Sequence, residues 1–89
     1  LYVPNAFTPN GDGRNEIFKP VLFGRATSYT FTIYNRWGGK VYETYHPEMG
    51  WNGYINATAA GSGTYVWTCR YTLEGQRERF EKGIVVLVR

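Results

Sequence analysis

Two segments of the chain alternate regularly between apolar and polar positions. In residues 28–34, Tyr29, Phe31 and Ile33 fall on one side of an extended chain. In residues 65–73 the apolar set recurs at every second position: Tyr65, Trp67, Cys69, Tyr71 and Leu73. A period of two is the pattern of a half-buried β-strand and argues against a helix. Both segments are therefore predicted to be strands with one buried face.

Turn-forming residues connect these strands to two further ones. Gly38-Gly39 suits a tight turn, so residues 28–34 are predicted to form a hairpin with a strand over residues 41–45. A second predicted turn, at residues 74–76, leads into a last strand over residues 79–88. Gly83 lies inside that strand and predicts either a bulge or a close approach to the backbone.

The remaining segments lack a regular period. Three prolines within residues 1–20 exclude a helix there, and residues 46–60 form a long connection. Strands separated by turns, without helical spacing anywhere, indicate an all-β antiparallel sandwich or a small open barrel. We expect about seven strands if residues 1–23 and 54–60 contribute edge pieces.

Composition narrows the class of protein without assigning a function. A chain of 89 residues allows one small domain, and its 43% apolar content is too high for a disordered protein. One cysteine and one histidine argue against a disulfide scaffold, a cysteine-rich zinc module and most histidine-dependent hydrolases. Cys69 is expected to be a buried apolar residue. The longest apolar run, residues 84–88, is too short to span a membrane.

Charge and candidate chemistry point away from nucleic acids and catalysis. The net charge is only +3, and acidic residues lie among the basic ones near the end of the chain, so no nucleic-acid partner is expected. His46 is interpreted as a solvated loop residue, and no serine stands in a nucleophile motif. We therefore predict no catalytic residue and no small-molecule substrate.

Residues 10–16 form a loop rich in oxygen-bearing side chains and glycine. Calcium prefers oxygen ligands on such a sharply turning loop, and the candidate ligands are Asn10, Asp12, Asn15 and Glu16. The loop departs from an EF-hand because Arg14 stands at a ligand position. The alternative is a loop held by its own side-chain-to-backbone hydrogen bonds. The sequence leaves both interpretations open.

Three tryptophans and eight tyrosines are the residue types of a sugar-stacking platform. Trp67, however, lies on the most regular apolar face and is expected in the core. Trp37 stands at the predicted hairpin tip and is the tryptophan expected to be exposed. A carbohydrate-binding or adhesive module of a surface protein is therefore kept as the alternative function.

Several short motifs follow one another along the chain. Residues 3–13 read VPNAFTPNGDG, residues 33–38 read IYNRWG, and residues 51–53 read WNG. Together with the closing residues 83–89, they resemble the gliding-motility-associated C-terminal domain, which is the type B sorting domain of the type IX secretion system. The resemblance covers essentially the whole chain. Glu16 and Asn52 depart from it, since the family usually has aspartate at the first position and often at the second.

This resemblance implies an immunoglobulin-like β-sandwich over residues 1–89, a single domain at the C-terminus of a larger secreted or cell-surface protein. It implies an address label that the outer-membrane type IX translocon reads, together with an outer-membrane partner of the PorP/SprF type. The parent protein is expected to cross the inner membrane by a separate N-terminal signal and then to pass through the periplasm and the outer membrane. The domain is expected to be monomeric within its longer chain.

Recognition of such a label requires an exposed patch rather than a reactive group. We hypothesise that the patch comprises the hairpin tip, with Arg36 and Trp37, and the terminal strand from Lys82 to Arg89. Arginine and tryptophan are among the residue types most enriched at binding hot spots. The alternative is that residues 35–39 are only a turn and that the last strand belongs only to the core.

Overall fold

The computed structural model describes residues 1–9 and 16–89. Within these residues the chain forms no helix and seven strands, which are β1 (Ala6–Phe7), β2 (Ala26–Tyr34), β3 (Lys40–Thr44), β4 (Tyr54–Ile55), β5 (Thr58–Ala59), β6 (Gly63–Leu73) and β7 (Arg79–Leu87). Five strands form one sheet in the order β1-β7-β6-β2-β3, and β4 pairs with β5 in a separate hairpin. β1 runs parallel to β7, whereas the other neighbours in the sheet are antiparallel.

The four strands predicted from the sequence all occur, with shifted ends. β2 and β6 begin two residues before their predicted starts, at Ala26 and Gly63, and β3 is displaced by one residue to Lys40–Thr44. The ends differ because alternation marks only the residues whose side chains are buried on one face. Backbone pairing continues beyond them into exposed polar and glycine residues that carry no such signal.

One face of the five-stranded sheet carries the core. Phe31, Ile33, Cys69, Val85 and Leu87 lie on it and are fully buried. They occupy alternate positions of β2, β6 and β7, so the period of two predicted for the β2 and β6 segments is confirmed, and the structure shows the same alternation on β7. Cys69 is a free, buried thiol, as expected.

The second layer of the sandwich is built largely from irregular segments. Phe18 and Trp51 exchange two backbone hydrogen bonds, with N···O distances of 2.8 and 2.9 Å. The ring of Phe18 lies 5.6 Å from the rings of Phe7 and Phe31, and the ring of Trp51 lies 5.0 Å from that of Tyr65. These aromatic contacts close the core against the sheet. The prediction of an all-β, immunoglobulin-like sandwich of about seven strands is confirmed.

The sequence predicts either a β-bulge or a close approach to the backbone at Gly83, and the structure decides between them. Gly83 pairs with Trp67 in a β6–β7 register that runs unshifted from Gly63–Leu87 to Tyr71–Arg79. Gly83 is therefore a point of close approach, and the bulge is not formed. The absence of a side chain leaves space for the indole of Trp67 on the buried face of the sheet.

Candidate recognition surface

The hairpin tip between β2 and β3 is a fixed turn. The side-chain oxygen of Asn35 accepts hydrogen bonds from the backbone N–H groups of Trp37, at 3.0 Å, and Gly39, at 2.8 Å. The backbone of Asn35 also donates to the carbonyl of Gly39 and accepts from Gly38. Gly38 has φ +86°, a conformation that glycine adopts without strain. The tip therefore holds the two residues between Asn35 and Gly38 in a defined orientation.

Arg36 and Trp37 occupy that tip as a stacked pair. Trp37 is 79% exposed, the largest exposed fraction among the large apolar side chains of the described residues. The guanidinium carbon of Arg36 lies 4.4 Å from the centroid of the Trp37 ring, which is a cation–π contact. The predicted exposure of Trp37 is confirmed. Burying so large a ring against a partner would release far more apolar surface from water than any other single residue of the turn.

A cleft separates the hairpin tip from the start of β6. Residues 35–37 and 61–65 line it, and its volume is about 230 Å³. The hydroxyl of Tyr65 donates a 2.8 Å hydrogen bond to the carbonyl of Gly61, and the backbone N–H of Arg89 donates to the hydroxyl oxygen of Ser62. None of the described residues that line the cleft is acidic. The cleft is therefore a fixed concavity with one positive group, Arg36, at its edge.

Lys82 lies on the outer face of the sheet, opposite the core. It pairs with Thr68, which in turn pairs with Thr32, in one row across β7, β6 and β2. The next row towards the hairpin tip consists of Ile84, Val66 and Tyr34, and we call these three residues the apolar row. Ile84 is 59% exposed. The apolar row thus lies on the sheet face between Lys82 and the end of β2 that leads into the hairpin tip. A binding surface shared by Lys82, Arg36 and Trp37 stays a prediction.

Arg89 lies against the second layer of the sandwich. Its guanidinium donates hydrogen bonds to the carbonyl oxygens of Pro9, Gly53 and Ala60. Its guanidinium carbon lies 5.5 Å from the ring centroid of Tyr54. These contacts connect the end of the β7 segment to both sides of the β4–β5 hairpin. The structure gives Arg89 an internal role that the sequence did not indicate, and its contact with a partner stays a prediction.

The comparison with protein families decides what kind of domain this is. The family model of the CHU_C type IX secretion signal domain matches residues 1–87, which include all seven strands. The chain belongs to this family. The search of curated proteins returned no match. The resemblance drawn from the sequence motifs is therefore confirmed, and the whole sandwich is the signal domain.

A type IX secretion signal domain directs the protein that carries it through the outer membrane, to the cell surface or beyond. That task requires contact between the signal domain and the secretion machinery. Within the described residues, no helix is long and apolar enough to cross a membrane.

Most of the residues proposed to bind calcium lie outside the part of the chain that the structure describes. Asn10, Asp12 and Asn15 lie outside the described residues, and Glu16 lies inside them and is engaged in an interaction. Residues 1–9 and 16–89 hold no cluster of three His, Cys, Asp or Glu side chains arranged to bind a metal. Calcium binding by the signal domain stays a prediction.

Cys69 is unsuited to nucleophilic chemistry in the folded signal domain. Its burial, and secondarily the negative charge of Glu81, raise the pKa of the thiol to about 12. The thiolate is the nucleophilic form of cysteine, so the side chain stays protonated and unreactive near neutral pH. Burial and a hydrogen bond donated to Glu81 also raise the pKa of the Tyr71 hydroxyl. These groups belong to the core and not to a reactive site.

The sequence does not reveal the structural roles of two residues, Asn35 in the hairpin tip and Trp51 in the second layer of the sandwich. Trp51 is buried and donates its indole N–H to the carbonyl of Tyr54, at 3.0 Å. Asn35 carries a usable signal, because asparagine commonly accepts hydrogen bonds from backbone N–H groups two residues on. Trp51 stands in the WNG motif of residues 51–53, but its burial depends on contacts distant in sequence.

Proposed function

We propose that the signal domain is recognised through the surface formed by the hairpin tip and the outer face of the sheet. Trp37 and Arg36 provide a stacked, exposed pair, and Ile84 and Lys82 continue the surface across the sheet. Hot spots are enriched in tryptophan and arginine held in preorganised positions. The observation that carries the proposal is the exposed Trp37 ring on a turn that Asn35 fixes.

The recognising partner in this proposal is an outer-membrane protein of the PorP/SprF type acting with the type IX translocon. The resemblance to type B sorting domains supports this identification. The parent protein crosses the inner membrane by a separate N-terminal signal, and the folded signal domain meets its partner at the periplasmic side of the outer membrane. The domain stands at the C-terminus of that parent.

The signal domain acts by binding and not by catalysis in this proposal. Its single cysteine is buried and protonated, and its single histidine is exposed beside Glu48, with a ring N···O distance of 3.9 Å. An active site needs a nucleophile and a base within reach of each other in a cleft. The cleft at the hairpin tip is lined by neither cysteine nor histidine.

An export assay tests the proposed surface. A reporter is fused to the signal domain, and the Arg36→Ala/Trp37→Ala double variant is compared with the unmodified domain in a bacterium that has the type IX system. We expect the variant to leave most of the reporter in the periplasm, because the central contacts are lost. Full export of the folded double variant would overturn the proposal.

A matched control is available at the other end of β2. Phe23 is 72% exposed and Arg25 is also exposed, so Phe23→Ala/Arg25→Ala removes the same kinds of side chain from a different surface. This control is expected to export normally. Purified domains of both double variants should melt within a few degrees of the parent domain, since none of the four side chains belongs to the core.

A further inference from the structure

We propose that the cleft beside the hairpin tip binds a carboxylate side chain from an acidic segment of the partner polypeptide. The flanking residues of that segment cover the apolar row formed by Tyr34, Val66 and Ile84. This inference rests on the proposed function and specifies the chemistry that the partner presents. It commits to an extended acidic peptide as the occupant of the cleft and the row.

The donors around the cleft favour a carboxylate. Within the described part of the chain, the guanidinium of Arg36 forms no ion pair and is held against the Trp37 ring at 4.4 Å. A guanidinium stacked in this way keeps its donor edge free for a bidentate bond to a carboxylate. Ser62 accepts the backbone N–H of Arg89, which leaves its hydroxyl proton available, and Thr64 adds a second hydroxyl.

The size of the cleft favours a side chain over a metabolite. Its volume of about 230 Å³ lies below the range of roughly 300–1,000 Å³ that is typical of small-molecule pockets. A single carboxylate side chain fits this space and leaves its own backbone outside. The partner backbone is then free to continue across the neighbouring sheet face.

The apolar row provides the second half of the site. Tyr34 pairs with Val66, and Val66 pairs with Ile84, so the row crosses three adjacent strands over about 10 Å. Tyr34 directly precedes the tip, which makes the row continuous with the cleft. Lys82 lies one row farther on, about 7 Å along β7, and offers a second positive charge. The positive group of Arg36, the apolar row and the positive group of Lys82 thus follow one another. An extended segment that alternates acidic and apolar residues is complementary to this order.

Peptide titration followed by NMR tests the inference. The probe is an acetylated and amidated seven-residue peptide of alternating valine and glutamate, and its counterpart carries glutamine in place of every glutamate. We expect the glutamate peptide to shift the Trp37 indole signal and the Ser62 and Gly63 amide signals in a saturable manner. We expect the glutamine peptide to bind at least tenfold more weakly. Added salt should weaken binding of the glutamate peptide, because it screens the charges.

Variants locate the interaction at the cleft. Arg36→Gln should remove the shifts, Arg36→Lys should retain part of them because it keeps the charge without the planar fork, and Arg25→Gln should change nothing. Equal binding of the two peptides, or unchanged binding by Arg36→Gln, would overturn the inference. Shifts of the same signals by a neutral oligosaccharide alone, or by self-association at high concentration, would also overturn it.

The inference and the proposed function fail separately. If Arg36→Gln blocks export while the glutamate peptide does not bind, the surface is correct and the carboxylate assignment is wrong. If the glutamate peptide binds at the cleft while Arg36→Gln exports normally, the cleft recognises carboxylates but export uses another surface. Peptide binding that Arg36→Gln removes, together with an export defect of that variant, supports both.

Discussion

Gly83 of β7 lies directly beneath the indole ring of Trp67 on β6, and the ring occupies the space that a side chain at position 83 would need. A β-carbon built on Gly83 would lie 2.8 Å from Cζ2 of Trp67 and 3.0 Å from its Nε1. Real β-carbons essentially never come within 3.0 Å of such an atom, and the Trp67 ring also packs near the ring of Phe31, with the two centroids 6.4 Å apart. The glycine in the middle of a nine-residue strand is therefore required by its neighbour across the sheet.

Replacing Gly83 by alanine should destabilise the signal domain by about 1–3 kcal/mol, which is the usual cost of overpacking a core. The Trp67 ring has to shift, since the clash involves a rigid ring and not a flexible chain end. Urea unfolding measures the change. The matched control is Gly61→Ala, where nothing lies within 4 Å of the added carbon. Equal stability of the two variants would show that the Trp67 ring moves freely.

Arg89 should matter for stability more than for direct recognition. Arg89→Ala removes the hydrogen bonds to Pro9, Gly53 and Ala60, and we expect a loss of about 1–2 kcal/mol because the guanidinium is also partly solvated. The stability of Arg89→Lys should lie between that of the parent domain and that of Arg89→Ala, since a lysine cannot donate to three carbonyls with the same geometry. Lys82→Ala is the control and should change stability by less than about 0.5 kcal/mol. An Arg89→Ala domain as stable as the control would contradict the internal role.

The sheet could be predicted from the sequence, whereas the second layer could not. Residues such as Phe31 and Cys69 alternate with polar neighbours because only one face of each strand is buried. Phe18 and Trp51 are as buried as any residue of the sheet, yet they lie in irregular segments and are paired over a separation of 33 positions. No local period marks such a contact.

The candidate recognition surface could be predicted in part. The sequence predicts that Trp37 is exposed because glycines place it at a turn, and it includes Lys82 because this residue stands in the predicted terminal strand. The apolar row was not foreseen, since it depends on how β2, β6 and β7 align across the sheet. The role of Arg89 was also missed, because its partners are backbone carbonyls, which every residue possesses.

The orientation of the hairpin tip should depend on the side-chain oxygen of Asn35. Asn35→Ala leaves the N–H groups of Trp37 and Gly39 without this acceptor, and we expect a stability loss of about 1 kcal/mol together with reduced export of a fused reporter. Asn35→Asp keeps an acceptor oxygen in place and should export nearly as well as the parent domain. Normal export by Asn35→Ala would show that the machinery does not require a preformed tip.

The calcium hypothesis makes a prediction that does not depend on the described structure. If residues 10–16 bind the ion, millimolar calcium raises the melting temperature relative to a chelator, because the ligand binds only the folded state. Asp12→Asn should abolish the difference, since it removes a charged ligand. The alternative, a loop held by its own hydrogen bonds, predicts identical melting temperatures in calcium and chelator.

Alkaline pH should destabilise the signal domain through Cys69. The unfolded chain releases the thiol proton near the ordinary pKa of 9.0, whereas the folded chain holds it until about 12, mainly because the thiol is buried. Between these values the unfolded state binds fewer protons, so the free energy of unfolding falls as the pH rises. The contribution is complete below pH 9 and is lost as the pH approaches 12.

Urea unfolding between about pH 8 and about pH 9.5 reports mainly on the cysteine, because the tyrosines whose pKa is raised by burial, Tyr29, Tyr42 and Tyr71, lose most of their protons in the unfolded chain only near and above their ordinary value of 10.0. We expect the stability of the parent domain to fall more steeply over this interval than that of Cys69→Ala, whatever the offset that the lost sulfur causes. Parallel pH profiles for the two proteins would show that Cys69 titrates alike in the folded and unfolded states. That result would mean that water reaches the thiol between β2 and β7, which its complete burial opposes.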